Sequence, residues 1–420
     1  MDVMTSITAS YAHGFLCGHL VTAQTPESLL ATDAGWVSKA VDDSAYRNSC
    51  RFYYESFVDS ILPRKQLPAS KGQQIAHLVS EVGKKCSVTL AAGDFLFDFE
   101  RIHLYFLPLG IVLFALEIDA AGADLNAWTE AFGRLRQVNG YDQWQAPEYL
   151  ATLQPLLALC TTPGHKGNYT DLTDTGNKLK LFQLFEVKDS SDSLLYELGA
   201  LAPIGCVDNS EDRNSPDPAY LQSLLKQHKI AVFRNWSALA LFDTMTMLST
   251  KLTAVDSWTW RESYFRMIYI HVLYQKTLLF YFNRRFRSEG VNIEELMYDI
   301  RELEHYYNFS NISYNFLPQT LYEAIDRGMG MESERQALHQ HIEQVEQMRN
   351  QVSERKLNRV IVLLTFLTLA STLYDGTSLL TEAGGIEAGS CWYRAIAVGL
   401  TLVALGLILY IIYHNRHRKV

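Results

Sequence analysis

The chain has 420 residues, with 37 Lys and Arg against 46 Asp and Glu and a formal net charge of −9. That balance lacks the concentrated basic surface that phosphate backbones demand, which excludes nucleic acid as a principal partner. Six cysteines without a C-x-x-C pair read as reduced thiols rather than a disulfide framework, and with no Lys or Arg before Lys39 there is no charged start for a signal peptide.

In chain order, residues 1–60 carry little periodic signal: 5–20 is mildly apolar and 51–62 aromatic-rich. A helical pattern appears at 71–86. Residues 95–99, 103–108 and 111–118 are short apolar, β-branched or aromatic runs that predict adjacent strands. A helix follows over 124–138 with Asp124 as N-cap, then a second over 148–160. The Thr-, Gly- and Asp-rich 161–177 reads as a loop, 178–187 as a strand, 191–201 as a helix, and 207–218 as an exposed polar loop. Residues 218–228 are helical and 230–249 return to strand character. Strands alternating with helices give an α/β (or α+β) cytosolic domain over 1–255.

From Asp256 the pattern is helical: one helix to Arg287, capped by Asp256, then a carboxylate-rich helix opened by Asn292 and Glu295 and interrupted at Pro318, making a helical hairpin over 256–330. Ser333 and Gln336 cap a stalk helix that runs on without Pro or Gly to Asp375, about 40 residues or roughly 60 Å.

Stepping by four and three along that helix lines up Gln336, Gln340, Gln344, Gln347, Gln351, Glu354, Asn358, Ile361, Thr365, Thr368, Thr372 and Asp375 on one face. Beyond Arg359 the chain turns apolar. The stalk therefore continues as a first transmembrane helix over 331–380, followed by an outer loop over 381–394 and a second transmembrane helix over 395–413. Arg349, Arg355, Lys356 and Arg359 precede the first span. The basic tail 414–420, with Arg416, Arg418 and Lys419, follows the second, which predicts an integral membrane protein with both termini cytoplasmic. The polar face from Asn358 to Asp375 suits a pore lining in an oligomer, with Ile361 as an apolar constriction; the other reading is that the threonines bond their own backbone. Arg355, Lys356, Arg359, Arg416, Arg418 and Lys419 would ring the inner mouth, where ordinary topology signals and lipid phosphate contacts explain them equally.

Two helices, a long stalk, a first span, a short loop, a second span and a basic tail resemble, over residues 256–420, the CorA family of magnesium transporters. The resemblance implies a funnel-like homopentamer in the lipid bilayer of a prokaryotic inner membrane, a pore lined by the first span, and Mg2+ or a similar divalent cation as transported or regulatory ion, with no covalent cofactor. The family's outer-mouth signature Tyr-Gly-Met-Asn falls on Tyr374, Asp375, Gly376 and Thr377, where only the tyrosine matches. A ring of Asp375 would be the cation site. Some CorA-like proteins of prokaryotic antiviral defence are similar in layout and respond to nucleotide messengers. The alternative function is accordingly a membrane effector gated by a small nucleotide bound to the 1–255 domain. No H-E-x-x-H, G-x-S-x-G, Walker loop or G-x-G-x-x-G is present, so an enzyme is not expected.

Overall fold

The computed structural model describes residues 7–22, 24–32, 35–64, 75–108, 111–137, 147–159, 178–287, 292–384 and 399. The chain divides into two units, Met1–His339 and Gln340–Val420.

In the first unit, β1 (Tyr11–Val21) is buried on both faces along most of its length, and the sequence alone does not mark it because two glycines and two histidines break its apolar run. Short elements follow: α1 (Pro26–Leu30), β2 (Trp36–Ser38), α2 (Asp43–Ser49) and α3 (Glu55–Ile61). β3 (Ala76–Leu90), β4 (Gly93–Phe106) and β5 (Ile111–Asp119) then form a meander. The helix expected at 71–86 is corrected to strand over its described part: Leu78 and Val82 lie four apart like a helical pair, yet cross-strand partners on β4 decide the period. The strands expected at 95–99 and 103–108 are one strand, β4.

α4 (Leu125–Leu135), whose N-cap is Asp124, and α5 (Pro147–Leu159) precede β6 (Lys180–Glu186), α6 (Asp192–Ala200), α7 (Pro218–His228), β7 (Lys229–Ile230), β8 (Trp236–Ala240) and β9 (Thr244–Ser249). The strand character expected over 230–249 is divided among these last three strands. The loop expected at 161–177 lies outside the described residues. The sheet is mixed, nine-stranded among the described residues, in the order β2-β3-β4-β5-β1-β6-β9-β8-β7. β6 and β9 pair in parallel and the other neighbours antiparallel.

One sheet face is apolar and lies under α4, α5 and α6. Leu16, Phe114, Leu116, Ile118, Ile102 and Leu104 join Trp128, Phe132, Tyr149 and Leu198 in one buried cluster. Gln183 ties this layer together, accepting from the Trp128 indole at 2.9 Å and donating to Leu198 O and Thr246 Oγ1 at 2.8 Å each. Gly18 is where β1 must stay bare, since a Cβ there would sit 2.4 Å from Phe114 Cζ and 2.8 Å from Leu179 Cδ2. Gly18→Ala should therefore cost about 1–2 kcal/mol through overpacking, which urea unfolding measures; an unchanged midpoint would mean that the Phe114 ring simply swings away.

The other face is covered by one helical run, α8 (Ala254–Trp258), a π-helix (Thr259–Tyr269) and α9 (Ile270–Phe286). The sequence predicts uninterrupted α-helix here with Asp256 as cap. Instead Thr253 is the N-cap and Asp256 closes its capping box. α10 (Ile293–Tyr307) is capped by Asn292. α11 (Phe316–Gly328) carries Pro318 in its first turn, where a missing N–H costs nothing, so the proline helps to start this helix rather than interrupt one. Among the described cysteines, Cys17, Cys50, Cys86 and Cys206 are free.

α12 (Met331–Gly384) begins at Met331, and Ser333 hydrogen-bonds back to Gly330 O. Within Gln340–Val420 it is the described element, running to Gly384. The expectation of two transmembrane helices, and with it of an integral membrane channel, is corrected: among the described residues no helix is long and apolar enough to cross a membrane. The apolar stretch after Arg359 is interrupted by Thr365, Thr368, Thr372 and Asp375, and what precedes it is highly polar. Residues 395–413, apart from Gly399, lie outside the described residues, as does the tail 414–420.

Candidate functional site

A polar stripe crosses the sheet beneath the π-helix, and a β-bulge creates it. Phe95, Phe97 and Phe99 of β4 face the apolar helix layer, with Phe95 6.1 Å from Trp128 and Phe99 6.0 Å from Tyr149. The register then slips between Phe99 and Arg101, so Ile102 and Leu104 continue the apolar face while Arg101, His103 and Tyr105 turn to the opposite one. Without the bulge, a guanidinium and an imidazole would point into hydrocarbon.

Opposite Arg101 in β5 stands Glu117, its side chain 2% exposed. The carboxylate collects four partners. Arg261 of the π-helix donates from Nη2 to Oε1, His103 Nε2 lies 3.0 Å from Oε2 and Arg101 Nη1 3.4 Å from Oε2. His13 of β1 approaches Oε1 at 3.4 Å with Nε2 and Asp119 at 3.6 Å with Nδ1. Farther out, the Arg101 Nε–H is shared between the two carboxylate oxygens of Glu81 at 3.0 and 2.9 Å. The π-helix is held over the stripe by Phe265, stacked on Phe15 at 3.7 Å, and by Tyr11 Oη against Ser257 Oγ at 3.1 Å.

Burial by itself would raise the Glu117 carboxyl, but the hydrogen bond with His103 and the fields of His103, His13 and Arg261 overcome it and hold the group well below the ordinary carboxylate range. Burial, reinforced by Arg266, His103 and Lys39, pushes the His77 imidazole far down and keeps it neutral. His77 Nε2 lies 3.1 Å from His103 Nδ1. Because a carboxylate only accepts, His103 donates from Nε2. His77 Nδ1 has no hydrogen-bond partner. Neither ring nitrogen of His13, nor Arg261 Nε, is in hydrogen-bonding geometry either. The arrangement can hold a permanent anion between two guanidiniums and register any competitor for them. A carboxyl held so far below neutrality is a poor general base.

None of these residues was singled out from sequence. The signal was present in R-I-H-L-Y-F and F-A-L-E-I-D, where polar residues recur at every second position of otherwise apolar strands. The expected site residues lie elsewhere. Asn358, Ile361, Thr365, Thr368, Thr372 and Asp375 are exposed on α12, and the helical spacing does place them on one side of it. The threonine hydroxyls donate to their own backbone: Thr365 to Ile361 O at 2.7 Å, Thr368 to Leu364 O at 2.8 Å, and Thr372 to Thr368 O at 2.5 Å. Tyr374, Gly376 and Thr377 are also on α12, and Arg355, Lys356 and Arg359 are exposed along it. Arg416, Arg418 and Lys419 lie outside the described residues. Among the described residues no group of three or more His, Cys, Asp or Glu could hold a metal ion, and Asp375 therefore belongs to none.

Set against known proteins, the chain matches no family model and no curated protein.

Proposed function

We propose that the chain is a non-catalytic ligand sensor, and that a small anion of nucleotide type binds at the solvent end of the polar stripe against Arg101 and Arg261. The carrying observation is that Glu117 serves as a buried internal anion for two guanidiniums that still reach water, their side chains 31% and 27% exposed. A phosphate arriving there would make charge-assisted bidentate hydrogen bonds with groups already positioned for an anion.

The π-helix supplies the response. An eleven-residue π segment between two α-helices is rare, and π geometry inside α-helices is frequent at functional sites. Returning it to α register would rotate Arg261 away from Glu117, so a ligand that holds the guanidinium differently in the two registers shifts the balance between them.

Titration of the full chain with nucleoside phosphates and inorganic pyrophosphate, followed by calorimetry and thermal unfolding, tests this. At least one should stabilise the protein by about 2.7 kcal/mol at about a hundred times its Kd. Arg101→Met should weaken that binding by about tenfold or more. No response to any of them, or equal affinity in Arg101→Met, would sink the reading.

A further inference from the structure

A second group of charges gathers around one aromatic ring and shares no residue with the Glu117 stripe. Phe242, 55% exposed, stands in the turn between β8 and β9. Lys180 Nζ of β6 lies 4.1 Å from its ring centroid, and Lys276 Nζ of α9 lies 3.8 Å from it. The same turn supplies Asp243. Its Oδ1 pairs with Lys180 and its Oδ2 with Arg136 Nη2 at 2.7 Å, while Arg136 Nε donates to Leu179 O at 2.8 Å. Lys276 is left without a carboxylate. Among the described residues it forms no ion pair, and its ammonium donates instead to Met329 O at the corner between α11 and α12. Glu334 of α12 accepts from Asn283 at 2.9 Å, not from Lys276.

Lys276 is only 9% exposed, so its ammonium has exchanged most of its water for a carbonyl and an aromatic ring. Burial first, and then the neighbouring Lys180 cation, push the group down to about 8 against the opposing fields of Glu334 and Asp243. At pH 7 about one amine in ten is then unprotonated, against fewer than about one in a thousand for an ordinary lysine. A desolvated lysine beside a second cation is the setting in which the amine becomes a nucleophile. So little exposure admits only a small electrophile, and the charges around the ring select among the small ones. Lys180, Arg136 and Lys276 share the single charge of Asp243, so a reaction that turns the third cation into an anion restores the balance.

We propose that Lys276 is a site of reversible carbamate formation with carbon dioxide. The lone pair of the neutral amine attacks the carbon, the N–C bond forms as one C=O π pair moves onto oxygen, and the nitrogen releases a proton to solvent. Nothing is oxidised or reduced. The N–H that remains continues to donate to Met329 O. The new carboxylate takes Lys180 as its cation, so that carbamate and Asp243 stand against Lys180 and Arg136.

The test is to incubate the full chain with isotopically labelled bicarbonate, whose dissolved carbon dioxide is the reagent, fix any carbamate by alkylation with a trialkyloxonium salt, and map the adduct by peptide mass spectrometry. The adduct should sit on Lys276 at least about tenfold above Lys229, an ion-paired lysine held by Asp192, because the two differ in free amine. It should be lost in urea. At fixed dissolved carbon dioxide its occupancy should rise with pH through about 8, since only the neutral amine reacts. Lys180→Met should lower the occupancy severalfold by removing both the activating charge and the partner of the product, whereas Lys180→Arg should keep most of it. No adduct on Lys276, labelling equal to that of Lys229, or labelling undiminished in urea would overturn the proposal.

Discussion

Glu117→Gln should destabilise the Met1–His339 unit by about 3–5 kcal/mol at neutral pH, the largest effect expected of any near-isosteric change in this chain. The volume is kept, so no cavity term enters. What is lost is the anion that neutralises Arg261 and Arg101 and accepts from His103. Removing one member of a buried ion network leaves the others charged and desolvated. Because both guanidiniums are partly wet, water recovers some of that cost, which places the expectation toward the lower end, near 3 kcal/mol.

The pH dependence has a definite sign. The folded carboxyl titrates below its unfolded value of about 4.3, so its contribution is fully present above that pH and is lost as the pH falls through it toward the folded value. Wild type and Glu117→Gln should therefore differ most near neutrality and converge in acid. Urea unfolding of both at pH 7 and at about pH 3.5 measures this, and a gap that stayed constant would place the stabilisation outside Glu117. Arg261→Met combined with Glu117→Gln should be less damaging than the two costs added, since the orphaned guanidinium is removed with its partner.

Gly328→Ala is the second large effect. On propensity alone the change should help, because alanine is favoured over glycine inside a helix by about 1 kcal/mol. The structure reverses the sign. A Cβ on Gly328 would stand 2.6 Å from Ala240 O and 2.9 Å from Ala240 Cβ, and the first of these is backbone of β8, a strand held between β7 and β9. No side chain can swing aside, so α11 must lift from the strand, with an expected net loss of about 2–3 kcal/mol. Gly330→Ala is the informative comparison: its φ of +68° is left-handed, yet the space beside it is ordinary, with Phe242 3.7 Å away, so it should cost only about 1 kcal/mol of backbone strain. Thermal unfolding ranks the two, and equal losses would refute the packing account of Gly328.

These cases mark what was legible. Capping chemistry is local, and it was read correctly at Asp124 and Asn292, where a side chain accepts from the next turn of its own helix. The apolar runs of β4, β5 and β6 are legible for the same reason: a local run of apolar, β-branched and aromatic residues needs no partner to be seen. Residues 327–330 were read as the end of a helix, and they do end α11. Only the packing against β8 distinguishes Gly328, needed for contact, from Gly330, needed for φ.

The first span is corrected because a run of apolar residues is not enough: among the described residues no helix is apolar over the length a bilayer requires. Spacing places the threonines on one face of α12, and there their hydroxyls donate to their own backbone. The candidate site was hidden for a different reason. By itself the sequence determined net charge, the caps at Asp124 and Asn292, the cores of β4, β5 and β6 and the helical character of the run that begins at Asp256. Only the tertiary structure decided that a bulge at Glu100 turns Arg101 and His103 to the π-helix side, that β1 passes between β5 and β6 to bring in His13, and that a π register lowers Arg261 onto Glu117. Register and bulges are set by partners far away in the chain, and no local pattern records them.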